Sequence, residues 1–158
     1  MPIPPFDSRG FLPDGMHTAT IDEIKKHFAF SVYRESLFND FLEFLRQALD
    51  PVNSKKYLGV TQSTPIIMSG SFISDKKFPN DIDCVFLLDN LSSEQKWFWA
   101  SRLRSYQQKI HSQYRVDFNI ELPSGNDFGK FFSYVGPKEA ESKELNPRDL
   151  RGIIKLMR

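Results

Sequence analysis

The chain has 158 residues, 40% of them hydrophobic and 15 of them Phe, which is enough apolar material for one packed domain and excludes wholesale disorder. Lys and Arg number 21 against 20 Asp and Glu, for a formal charge of +1, so the strong basic excess of a dedicated DNA- or RNA-coating protein is missing. No apolar run approaches a membrane span, no secretory pattern opens the chain, and the single cysteine, Cys84, lies in an apolar run where burial is expected; a soluble cytoplasmic protein is the expectation.

Residues 1–15 are rich in Pro and Gly and read as an irregular arm. Ile3, Phe6, Phe11 and Leu12 suggest that it packs on the body formed by residues 16–158, a single domain. Thr20 followed by Glu23 is a capping-box pattern and predicts a short helix to about Phe28. A longer helix is expected from Val32 to Leu49, because Leu37, Phe38, Phe41, Leu42, Leu45, Ala48 and Leu49 recur at helical spacing and Pro51 follows. That stripe reads as core. Tyr57–Val60 fits a short strand or a turn equally well.

Pro65 introduces a first strand, Ile66–Met68, which ends in Ser69-Gly70-Ser71. Nine residues separate Ser71 from a second strand, Asp81–Leu88. Ser92 with Gln95 caps a helix to about His111, with Trp99, Leu103, Tyr106 and Ile110 on its buried side. The run Arg115–Leu122 alternates polar and apolar residues and predicts a half-buried strand, with Arg115, Asp117, Asn119 and Glu121 on one face. Pro123–Asp127 reads as a loop, Phe131–Val135 as a segment returning to the body, Lys138–Asn146 as solvated, and Gly152–Met157 as a final strand. The predicted class is α/β or α+β, with a small mixed sheet and flanking helices.

Asp81 and Asp83 carry the chemistry. In a strand, positions two apart share a face, so these carboxylates would crowd each other and call for a compensating cation. Gly70 lets backbone amides approach phosphate oxygens, and Ser71 can hydrogen-bond them. Lys76 and Lys77 in the spacer can neutralise phosphate charge, or be ordinary solvated lysines. His17, His27 and His111 are scattered without metal spacing and read as surface or capping residues.

The sequence Gly70-Ser71, nine residues, Asp81-Ile82-Asp83, with a third carboxylate at Asp117 after an intervening helix, resembles the polymerase-beta-like nucleotidyltransferase superfamily. Gly70–Lys76, Pro79–Asp83, Leu12–Thr20 and Arg151–Ile154 look similar to a subgroup of short bacterial nucleotidyltransferase-like proteins. The resemblance implies that Asp81, Asp83 and Asp117 bind Mg²⁺ or Mn²⁺ and that Gly70 and Ser71 meet the phosphates of a nucleoside triphosphate, ATP by preference, with Lys76 and Lys77 the nearby candidates for phosphate charge. It implies Asp117 as a holder of the catalytic metal and as the proton acceptor; Arg115 and Asn119 share the polar face of its strand and are candidate substrate contacts. The acceptor would be a hydroxyl of a protein or an RNA, in a toxin-antitoxin or phage-defence setting. Two alternatives stay open: a catalytically silent binding module acting as antitoxin or nucleotide sensor, and a metal-dependent nuclease or phosphohydrolase. Many superfamily members carry a further helical domain after the sheet, and the 36 residues after Leu122 are too few for one.

Overall fold

The computed structural model describes residues 3–50, 57–88, 91–121, 145 and 150–157. In chain order the elements are β1 (Met16–Thr20), α1 (Ile21–Phe28), α2 (Val32–Ala48), β2 (Ile66–Ser69), a single 3₁₀ turn (Ser71–Ile73), β3 (Ile82–Leu87), α3 (Ser93–Tyr114), β4 (Val116–Glu121) and β5 (Ile153–Met157). Among the described residues five strands form one mixed sheet in the order β1-β5-β2-β3-β4. β1 pairs parallel to β5, β2 runs antiparallel to both β5 and β3, and β3 pairs parallel to β4.

The helices begin where their capping residues put them. The Thr20 side chain accepts from the Glu23 amide at 3.2 Å, and the Glu23 carboxylate accepts from the Thr20 amide at 3.0 Å. Ser92 and Gln95 make the same reciprocal pair ahead of α3. Along α2, Leu37, Phe38, Phe41, Phe44, Leu45 and Ala48 are buried, whereas Leu42 and Leu49 are only half-buried at the edge of the stripe. Leu103 and Tyr106 on α3 are likewise half-buried, while Trp99 and Ile110 are enclosed. Tyr57–Val60 is a turn, and the Trp99 indole donates to the Leu58 carbonyl at 2.7 Å.

All three helices pack on one face of the sheet. There Ile24, Phe28, Phe38, Phe41, Phe44, Trp99 and Ile110 meet Ile66, Met68, Cys84, Phe86, Phe118 and Leu156 in one core. Cys84 is buried within it, and burial pushes its thiol pKa up, which removes it as a nucleophile. The opposite face carries a smaller apolar group, Ile67, Val85 and Ile153.

Three features differ from the sequence expectations. Met16–Thr20 forms a strand that periodicity did not announce. β3 starts at Ile82, so Asp81 stands just before the strand. Arg115 is not in a strand: it is the C-cap of α3 with φ 54° and ψ 42°, a left-handed conformation uncommon for a non-glycine residue. The expectations for Pro123–Asp127 and Phe131–Val135 lie outside the described residues, as does that for Lys138–Asn146 except at Leu145.

Candidate metal centre and phosphate cavity

The sheet register builds the centre. Ser69 on β2 pairs with Asp83 on β3, and Asp83 pairs with Asp117 on β4, so the three side chains form a row across the face away from the helices. Asp81 joins the row from the residue before β3. One carboxylate oxygen from each of Asp81, Asp83 and Asp117 lies within 4.8 Å of the others. Asp81 also meets a side chain from outside the motif, with His111 Nε2 3.2 Å from Asp81 Oδ2, from the last turn of α3.

Crowding shows in the protonation chemistry. Burial pushes the Asp83 carboxyl up to about 9, helped by the Asp81 charge, the hydrogen bond with Asp117 and the Asp117 charge, with Arg151 pulling the other way. At neutral pH the row therefore holds a proton unless a cation takes its place. The set fits a hard divalent ion: three carboxylates supply oxygen ligands, and the buried Ser69 Oγ beside them has no hydrogen-bond partner among the described residues.

Gly70 has φ 81°, and a Cβ there would overlap the Asp83 carboxylate. Only glycine lets β2 turn this close to the acidic row. Gly70, Ser71, Lys76, Asn80, Asp81, Asp83 and Arg151 line a cavity of about 190 Å³. Lys76 and Arg151 set two cations on its wall facing the carboxylates of Asp81 and Asp83. A second cavity, of about 410 Å³, opens on the other side of Asp81 and is lined by Gln107, Gln108, His111, Ser112 and Asp117 as well. Asp81 belongs to both.

The loop bearing Ser71 and Lys76 is held from two sides. Arg34 on α2 is fully buried, and its guanidinium donates to the carbonyls of Phe28 (2.5 Å), Phe72, Ser74 (3.1 Å) and Lys76. Burial lowers the Arg34 pKa to about 10, partly offset by the Asp75 charge, so it stays a cation at neutral pH. From the other side, the Asp75 amide donates to the Gly10 carbonyl at 2.9 Å, and Phe11 bridges Ser74. The same arm receives the Gly152 amide on the Leu12 carbonyl at 2.9 Å, and the Phe11 ring lies 5.6 Å from the Arg151 guanidinium carbon. The arm thereby fixes both Arg151 and the loop.

The structure brings together Asp81, Asp83, Asp117, Gly70, Ser71 and Lys76. Lys77 is exposed and does not line the cavity. Arg115 turns away: its left-handed cap aims the guanidinium at α2, where it bonds Asp40 at 2.8 Å and Ser36 at 3.1 Å. Asn119 accepts from Gln107 Nε2 at 2.9 Å and so braces α3 against β4. Arg151, Asn80 and His111 complete the two cavities, although no sequence signal assigns them a site role and His111 reads as a surface or capping residue. Arg151 opens the Arg151–Ile154 stretch of the resemblance, but His111 stands 30 residues from Asp81, and only the fold joins them.

No curated protein and no solved structure matches the chain. One family model does, over residues 4–157, and it takes in both cavities and every residue named above as lining them. The chain belongs to the family of unknown function DUF6932.

Proposed function

We propose that this chain is a metal-dependent nucleotidyltransferase, moving a nucleoside monophosphate from a triphosphate, ATP by preference, to a hydroxyl on a protein or an RNA. The observation that carries the reading is the row of three carboxylates within 4.8 Å of one another, beside a glycine turn and a cavity holding Lys76 and Arg151. A metal bound by Asp81, Asp83 and Asp117 would neutralise phosphate charge and make a hydroxyl more acidic.

The chain's own residues then have distinct tasks. Ser71 and the amides after Gly70 hydrogen-bond the terminal phosphates, and Lys76 and Arg151 pair with their charge. The second cavity, on the Asp117 side, receives the acceptor hydroxyl. Asp117 takes the hydroxyl proton on a carboxylate oxygen as the acceptor oxygen bonds the α-phosphorus. The bond from that phosphorus to the β-phosphate's bridging oxygen breaks, and pyrophosphate leaves toward Lys76 and Arg151. His111 holds Asp81 in place from α3.

The test is transfer of label from α-labelled ATP, with Mg²⁺ and a cell lysate, onto protein or RNA, together with pyrophosphate release. Wild type is expected to transfer label and Asp117→Asn to lose at least 100-fold, the general-base contribution. Label transfer undiminished in Asp117→Asn contradicts the assignment, and nucleic-acid cleavage without added nucleotide would point to a nuclease instead.

A further inference from the structure

We propose that Phe78 is the platform on which the base of the nucleotide stacks, an assignment that rests on the nucleotidyltransferase reading of the phosphate cavity. Phe78 is 66% exposed, far more than an aromatic ring in a folded loop needs to be. Its place is what gives that exposure meaning. Phe78 lies on the segment that lines the phosphate cavity, two residues after Lys76 and two before Asn80, both of which face it.

The segment is pinned on each side of the ring. Arg34 holds the Lys76 carbonyl, and the Tyr33 hydroxyl donates to the Pro79 carbonyl at 2.7 Å. The Tyr33 ring meets Phe78 edge-on, with centroids 5.4 Å apart and planes at 76°. This contact occupies part of one side of Phe78 and leaves most of the ring in solvent. The Tyr33 contact and the pinned backbone on either side restrict the ring, which lowers the ordering a flat ligand must bring about when it stacks.

Size points the same way. The cavity of about 190 Å³ is of a size for phosphate groups rather than for a whole nucleotide, which favours a base outside it, along the segment that forms its rim. Among the described residues, the other exposed Phe, Tyr or Trp rings are Phe30 and Trp97, while the exposed His111 ring is engaged with Asp81. Phe30 is engaged over the Arg34 guanidinium at 4.2 Å, and Trp97 lies in the first turns of α3, away from this loop in sequence. Phe78 offers a π-face without donors or acceptors, so affinity should follow stacking strength, with purines ahead of pyrimidines.

Calorimetric titration of the full chain with Mg²⁺ and ATP, CTP or inorganic tripolyphosphate tests this. Wild type is expected to bind ATP about tenfold or more tighter than tripolyphosphate, the contribution of one stacked base, with CTP in between. Phe78→Ala should lose most of the ATP advantage, keep tripolyphosphate affinity and keep its melting temperature, because the ring is exposed. Phe78→Trp should retain ATP affinity and show indole quenching with ATP but not with tripolyphosphate. If tripolyphosphate binds and Phe78→Ala still binds ATP like wild type, the platform is overturned and the phosphate cavity stands. If neither ATP nor tripolyphosphate binds wild type, the cavity reading fails and takes the platform with it.

Discussion

Single residues at the centre differ in what they put at risk. Gly70 is limited by space and backbone together, since a Cβ would overlap Asp83 at a φ of 81°. Gly70→Ala is expected to cost about 1–3 kcal/mol of stability and to disturb the carboxylate row, seen as a lower denaturant midpoint together with lost transfer. Arg34 is buried for a structural reason with a functional consequence. Arg34→Lys keeps a charge but cannot serve four carbonyls, and should lower stability by about 2–4 kcal/mol in urea unfolding. Asp83 should behave in the opposite sense. Its folded pKa is raised to about 9 from 3.8, so between those values the native state holds more proton than the unfolded chain. Without divalent cations, stability must then fall as pH rises through that window. Asp83→Asn mimics the protonated form, so the cation-free variant should melt higher than wild type at pH 8 and lose most of that pH dependence, while losing transfer activity. A cation-free melting series from pH 5 to 9 decides this; a variant less stable than wild type at pH 8 would contradict it.

Elements were the most legible level in the sequence, and the capping residues explain why. Thr20 with Glu23 and Ser92 with Gln95 place two helix starts by local hydrogen bonding alone, and the apolar spacing of α2 describes its buried side. Thr20→Ala should cost about 1 kcal/mol and lower the melting temperature by about 2–4 °C in a domain of this size, with transfer activity retained. The alternation from Arg115 onward identified β4 correctly but misplaced Arg115. A side chain's face follows from alternation only inside the strand, and the left-handed cap of α3 sends Arg115 to Asp40 instead. Met16–Thr20 was hidden for a related reason. β1 is a short edge strand with polar residues along it, and its partner β5 lies far along the chain.

At the scale of the whole molecule, the strand order decides what becomes a site. The Gly-Ser turn and the three aspartates could be read together from their spacing, because β2, β3 and β4 are neighbours in sequence and in the sheet. Arg151 and the arm could not. β5 inserts between β1 and β2, and that long-range pairing carries Arg151 to the cavity and places Leu12 against Gly152. The second cavity depends in the same way on α3 returning His111 to Asp81. The mixed sheet thus has a division of labour, with helices and aromatic core on one face and the row of Ser69, Asp83 and Asp117 on the other. The most direct test of that arrangement is a calorimetric titration of Mn²⁺ into wild type and Asp83→Asn at neutral pH. The three-carboxylate centre predicts saturable Mn²⁺ binding by wild type that Asp83→Asn weakens at least tenfold; no binding by wild type, or equal binding by both proteins, would contradict it.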